Sequence, residues 1–366
     1  MSWIIITAII IILALWWLIN STNTPKSGIK SSAEKISVQG PLKHIRSQKK
    51  RERLEDIIKD LYHEIAAGHE ETKPIIDSLS QKLGVKVQKL NKDIDILREA
   101  GFVSSSSLEL TSQGKEYALG LIRKHRLYER YLAEHSGYSP AEWHKVAHQM
   151  EHRVNLNELR VISEKLHNPQ IDPHGDPIPS NENTNIEPEN GLNIEELKPN
   201  EYLRILHLDD ANAEILSKLA GIGLFPGALI RIISNNKDKG IGFLFQGEIF
   251  NITKREAMSL TFIHPSVLPQ SNMPDIYGAF LPDAVKRLTS LPKDKSAVIC
   301  GIDVNCRGSA RRRLLDLGFV RGSKVSIYLQ SPLGNPNAYL IRGSGIALRY
   351  DQARHILIDP QSLNPL

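Results

Sequence analysis

The sequence predicts a multidomain chain: an N-terminal transmembrane helix, a mostly-α half that begins with a winged helix-turn-helix, and two copies of a small β-barrel. Three observations predict it. An uncharged apolar run fills positions 3–19, helical periodicity with helix-turn-helix punctuation starts near residue 53, and the last third repeats itself at offsets of 95 or 96 residues. A length of 366 residues is too much for one ordinary domain. With 41% hydrophobic and 24% charged residues, the chain is globular material rather than a disordered or polytopic membrane protein. Two cysteines, Cys300 and Cys306, in a chain this long indicate a reducing compartment, and neither is given a role.

The apolar run Trp3–Ile19 has Thr7 as its one polar residue. At about 1.5 Å per residue it reaches roughly 26 Å, near the lower limit for crossing a bilayer core. Trp3, Trp16 and Trp17 lie where interfacial aromatics belong. No Lys or Arg precedes the run and no small-x-small site follows, which disfavours a cleaved signal. From Lys26 to Arg53 there are nine Lys or Arg residues against Glu34 and Glu52. That excess should remain on the cytoplasmic side, predicting a single-pass protein of the inner (cytoplasmic) membrane with its folded domains in the cytoplasm.

Leu54, Ile57, Ile58, Leu61, Tyr62 and Ile65 share one helical face. Helices over 74–83 and 86–100 follow, with Gly84 at the break and Gly101 at the end. Phe102-Val103 and Leu108-Glu109-Leu110, joined by four serines, predict a short two-stranded wing before a helix starting near Thr111. Residues 168–193 are rich in Pro, Asn and Glu and read as a linker. Beyond it, Gly221-Ile-Gly-Leu-Phe-Pro-Gly227 aligns with Asp316-Leu-Gly-Phe-Val-Arg-Gly322, Gln246-Gly247 with Arg342-Gly343, and Ala257 with Ala353. Strand-like runs 202–208, 228–233 and 242–245 surround one helix in the first copy, a pattern that fits a small β-barrel.

The chemistry concentrates between residues 125 and 152. Ser139, Pro140 and Glu142 predict a capped helix start. On that helix His144, His148, Glu151 and His152 follow i, i+4, i+7, i+8 spacing, and the preceding helix offers His125 and Glu129 at i, i+4. Imidazole and carboxylate donors without thiolate suit a divalent first-row transition metal, and the expectation is that all six converge on one ion. Solvated His and Glu on a helix face would explain any one of them. Six at helical spacing on adjacent helices favour the metal reading. No zincin motif and no recognisable nucleophile motif is present, so the chain is not expected to be an enzyme.

These residues resemble the diphtheria toxin repressor and manganese transport regulator family of metal-dependent repressors. The resemblance rests on Leu110-Thr-Ser-Gln-Gly-Lys-Glu-Tyr-Ala118, Arg123-Lys-His-Arg-Leu-Tyr-Glu-Arg130, Glu151-His-Arg-Val154 and Pro173-His-Gly-Asp-Pro-Ile-Pro179. It implies a winged-helix DNA-binding domain, a helical dimerisation domain and metal ligands at their junction. The family ligands fall on His125, Glu129, His144, Glu151 and His152, with His148 where other members carry Cys or Glu. It also implies a helix-one ligand at Asp56, while Lys59 replaces a carboxylate of the manganese branch. Iron or manganese is the expected metal, with zinc a third candidate. Leu314-Leu-Asp-Leu-Gly-Phe-Val-Arg-Gly322 makes the repeated units similar to FeoA-type SH3-like domains.

The helix over 86–100 presents Lys86, Gln88, Lys89, Asn91 and Lys92, amides for base edges and ammonium groups for phosphates. A solvated basic face is the plain alternative; the Gly84 break and the apolar spacing Val87, Leu90, Ile94, Leu97 favour DNA reading. The division expected is an anchor over 1–20, a basic linker over 21–52, a DNA-binding domain over 53–122 and a metal-binding, dimerisation domain over 123–180. A linker over 181–192, a first FeoA-like domain over 193–266, a linker over 267–284 and a second FeoA-like domain over 285–362 complete it. The function expected is a homodimeric, metal-activated repressor of iron or manganese homeostasis genes that binds double-stranded DNA. The rival is a tethered FeoA-like accessory protein docking on a ferrous iron transporter.

Overall fold

The computed structural model describes residues 42, 45–69, 71–180, 184, 186, 191–265 and 281–365. The predicted anchor and most of the basic linker lie outside them. Among the described residues no helix is long and apolar enough to cross a membrane.

Helix α1 (Gln48–Ala66) begins inside the stretch read as linker. Its predicted apolar face is fully buried at Leu54, Ile57, Ile58 and Leu61. Helices α2 (Thr72–Leu83) and α3 (Val87–Glu99) follow, and Gly84 ends α2 in the left-handed conformation at φ 62°, which a residue without Cβ adopts freely. Arg53 of α1 donates a two-pronged pair of hydrogen bonds to Asp93 of α3, at 2.7 and 3.3 Å, fixing α3 to α1. The predicted wing is reduced to a single bridge, Val103 with Leu110. Four consecutive serines between the arms supply no cross-strand apolar pair that would extend the ladder.

Helix α4 (Ser112–His135) is capped by Thr111, whose hydroxyl accepts from the Gly114 amide. Gly114 lies so close to the Phe102 carbonyl that an added Cβ would come within 2.1 Å of that oxygen. Helices α5 (Pro140–Glu151) and α6 (Leu156–Lys165) complete the helical half. Residues 168–180, read as the start of a linker, are instead a packed loop. Asp172 accepts from the amides of His174, Gly175 and Asp176 at 2.8–3.0 Å, and Asp172 and His174 are buried.

The duplication appears as two antiparallel sheets. In the first the order is β4-β3-β2-β1-β5, from β1 (Tyr202–Leu208), β2 (Leu229–Asn236), β3 (Gly240–Phe245), β4 (Glu248–Thr253) and β5 (Leu260–Ile263). The second repeats it as β10-β9-β8-β7-β11, then β6, from β6 (Lys286–Arg287), β7 (Lys295–Ile302), β8 (Lys324–Leu329), β9 (Asn337–Ile341), β10 (Ser344–Leu348) and β11 (Ile356–Ile358). Each copy has a helix after its first long strand, α7 (Ala213–Ile222) and, past the short α8 (Lys254–Ala257), α9 (Gly308–Asp316). The turns match as well: Gln246-Gly247 at φ 49° and 77°, Arg342-Gly343 at φ 48° and 82°. Both positive angles are what a two-residue hairpin turn of matching twist demands.

Candidate metal centre

The N-terminus of α5 is set as its sequence suggests, with the Ser139 amide and hydroxyl donating to Glu142 at 2.8 and 2.7 Å. This start aims the α5 stripe at α4 and α1. The stripe then divides. His144 joins His125 and Glu129 of α4, whereas His148, Glu151 and His152 join Asp56 of α1, so the donors gather in separate groups rather than in one ring of six.

In the first group, Glu129 Oε1, His125 Nε2 and His144 Nδ1 stand 3.1, 3.2 and 3.3 Å apart. Bonds of about 2.1 Å to a four-coordinate metal place neighbouring donors roughly 3.4 Å apart, so this triangle has the size of one coordination face. Asp210, just after β1, brings Oδ2 to 3.1 Å from His144 Nδ1. Glu129, His174 and Asp210 form a further donor group, and buried His174 Nε2 has no hydrogen-bond partner.

In the second group, His148 Nδ1 is 3.1 Å from Glu151 Oε1, and His152 Nε2 is 3.2 Å from Asp56 Oδ1 and 3.6 Å from Glu151 Oε1. His152 donates through Nδ1 to Glu55, at 2.6 Å, and Glu55 accepts from the Tyr117 hydroxyl at 2.7 Å. That pairing turns Nε2 toward Asp56. Both Asp56 Oδ1 and His152 Nε2 are buried and lack a hydrogen bond, facing each other as donors to a shared cation would. The residues therefore fit a divalent metal. Fully buried Glu151 links the groups, for its Oε2 accepts from His125 Nδ1 at 2.5 Å.

Lys59 of α1 supplies a cation of its own. Its ammonium pairs with Glu151 Oε1 and is 3.5 Å from His148 Nδ1. A metal that takes Glu151 must displace or repel this ammonium. Lys59→Ala is expected to raise metal affinity about tenfold, a 1.4 kcal/mol change, read by calorimetric titration; weaker binding would show that Lys59 serves the site instead.

Titration couples to capture. Hydrogen bonds to Asp210 and Glu129 outweigh burial and raise His144 to about 10. Burial opposes the charge on His152, but Asp56 and Glu55 prevail and raise it to about 9. Burial likewise opposes the His125 charge and is outweighed by Glu129 and Glu151. Imidazolium cannot ligate, so these protons must leave when metal enters, and metal affinity rises with pH until the raised pKa values are passed. Between pH 7 and 9 we expect at least about a tenfold gain per unit, with proton release visible as a buffer-dependent binding enthalpy. A flat profile would contradict the assignment.

All seven residues expected to hold metal, Asp56, His125, Glu129, His144, His148, Glu151 and His152, take part in these groups. His174 and Asp210 were not anticipated as donors. His174 lies inside the Pro173-His-Gly-Asp motif, which could have flagged it, but nothing around Asp210 distinguishes it from a turn residue. On α3, Lys86, Gln88, Lys89, Asn91 and Lys92 are all exposed, while Leu90, Ile94 and Leu97 are buried. Lys86 is the N-cap and makes no side-chain cap.

A helix-turn-helix joined by one helix to buried imidazole and carboxylate donors defines a metal-responsive regulator. The family model "Iron dependent repressor, metal binding and dimerisation domain" matches residues 111–180, and the FeoA domain matches residues 192–261 and 286–360. The chain is thus similar, over residues 111–180, to the metal-binding and dimerisation domain of the iron-dependent repressors, and it carries two FeoA domains. It is 27% identical over 169 residues to the iron-dependent repressor IdeR of Mycobacterium tuberculosis, covering 43% of this chain and 71% of that one. To the diphtheria toxin repressor of Corynebacterium efficiens it is 29% identical over 173 residues, covering 44% and 75%. A probable metal transport system membrane protein of Chlamydia trachomatis is 36% identical over 86 residues, covering 23% and 19%. Among solved structures, a manganese-dependent transcriptional repressor in complex with manganese has a TM-score of 0.46 at 26% identity, covering 51% of this chain and 89% of that one.

Proposed function

We propose that metal capture between α1 and α5 sets the position of the DNA-reading helix α3, and that the chain acts as a homodimeric, metal-activated repressor of iron or manganese homeostasis genes. One observation carries this reading: α1 holds both ends of the device. Within about two helical turns, Arg53 grips Asp93 of α3 while Asp56 and Lys59 meet His148, Glu151 and His152. A metal bound to Asp56 and α5 restrains α1, and α3 moves with it. Metal and DNA affinity are then reciprocally linked, by about 1–3 kcal/mol in typical cases.

Lys86, Gln88, Lys89, Asn91 and Lys92 would meet phosphates and base edges. An apolar groove lined by Tyr128, Tyr131, Met150, Val154, Val161 and Ile162 is the face on which the second copy would pack. The run Trp3–Ile19 would tether the dimer to the membrane, with all that follows in the cytoplasm. An accessory protein docked on a transporter would leave the helix-turn-helix without use.

The test is DNA affinity of the full chain, with and without Mn2+ or Fe2+, on duplexes selected from a random pool. Metal should strengthen binding at least about fivefold, and the double change His148→Ala, Glu151→Ala should abolish the gain. Equal affinity with and without metal would refute the proposal.

A further inference from the structure

The two FeoA copies share a fold and differ sharply in charge. Residues 192–261 hold eight Lys or Arg against nine Asp or Glu, whereas residues 286–360 hold thirteen against five Asp and no Glu. The excess gathers around the α9 end and the β9–β10 turn. Arg312, Arg313, Arg321, Lys324 and Arg342 are exposed there, and none has an ion pair among the described residues. Val325 pairs with Ile341, so Lys324 and Arg342 flank the next cross-strand position, a like-charge placement that is unfavourable unless an anion lies between.

The first copy is an internal control. At the matching positions it carries Ser217, Pro226, Leu229 and Gln246 for Arg312, Arg321, Lys324 and Arg342. Its one match in charge, Lys218 for Arg313, is neutralised by Glu256, whereas the second copy has Gln352 in place of that glutamate. The β-domain therefore folds without these cations. The matching face of the first copy is also occupied, because Arg287, leading into the second copy, donates to Gln246 Oε1 and to the Ile222 carbonyl. In the second copy Arg342 covers Gly318 itself, its Cδ 3.2 Å from where a Cβ would stand, and donates to Ser323 at 3.4 Å. The face beyond it is open and cationic.

From this contrast we infer that the second FeoA domain is a phosphate-backbone contact for duplex DNA, a non-reading clamp formed by Arg321, Lys324 and Arg342 with Arg312 and Arg313 beside them. Guanidinium groups on a rigid turn suit phosphate geometry. The inference rests on the DNA-binding reading above and deepens it: α3 would read sequence while the clamp adds affinity and salt dependence.

The experiment compares the metal-loaded full chain with the variant Arg321→Ser, Lys324→Ser, Arg342→Gln on a mixed-sequence duplex over a range of salt. Loss of three phosphate contacts should flatten the log–log salt dependence by about 2–3. Thermal stability and metal affinity should stay as they are, since the first copy folds with neutral residues at these places. An unchanged slope, with the unmodified chain binding DNA, overturns the clamp and leaves the regulator intact. No DNA binding by the unmodified chain overturns both. Vesicles of phosphatidylcholine with phosphatidylserine form the second arm, because Tyr328, Leu329 and Leu333 are exposed nearby. Vesicle binding lost in the variant, with the DNA slope unchanged, would assign the patch to a membrane and overturn the proposal.

Discussion

Glu151→Gln is expected to weaken metal binding by more than about 100-fold, because even outer-shell partners of metal ligands carry 10–100-fold. Glu151 is shared: one oxygen accepts from His125, and the other meets His148 and Lys59. Burial opposes its ionisation, but His125 and His148 hold its pKa far below the usual carboxylate range, so it offers a full negative charge at any working pH. Glutamine keeps the shape and removes that charge. Titration followed by calorimetry should show both donor groups impaired; retention of either at full affinity would sink the view that Glu151 couples them.

Gly114→Ala should cost about 3 kcal/mol or more in stability, measured by urea unfolding. The new methyl would meet the Phe102 carbonyl at 2.1 Å, and backbone cannot step aside as a flexible side chain can. Relief requires α4 to move off the bridge at Val103, carrying His125 and Glu129 with it, so metal affinity should fall in parallel. Gly84→Asn is the control. Gly84 also has positive φ but nothing within 4 Å, and asparagine tolerates that conformation, so the cost there should stay below about 1 kcal/mol.

Features legible in the sequence were those written in local chemistry. Apolar spacing located α1, Gly84 and Gly101 marked helix ends, Ser139 and Glu142 started α5, and self-similarity exposed the duplicated β-rich domain. The α5 stripe identified donors because a helix turns fixed spacing into a shared face. It could not say that His144 would part from His148, since that depends on how α4 and α1 each cross α5. Asp210 reaches the site through the docking of β1 against the 172–177 loop, where Leu208 donates to the His174 carbonyl at 2.9 Å. The linker reading of the same loop rests on Pro, Asn and Glu, which are linker residues by composition. Here Asp172 spends its carboxylate on three successive amides, which lets a polar segment be buried.

Arg287 lies 3.4 Å from where a Cβ on Gly223 would stand, pairs with Glu248 at 3.3 Å and stacks on Phe250 at 5.5 Å. A guanidinium from one β-domain thus plugs the hairpin end of the other, and the tandem is keyed rather than strung. A shift of the first β-domain would therefore carry the second with it.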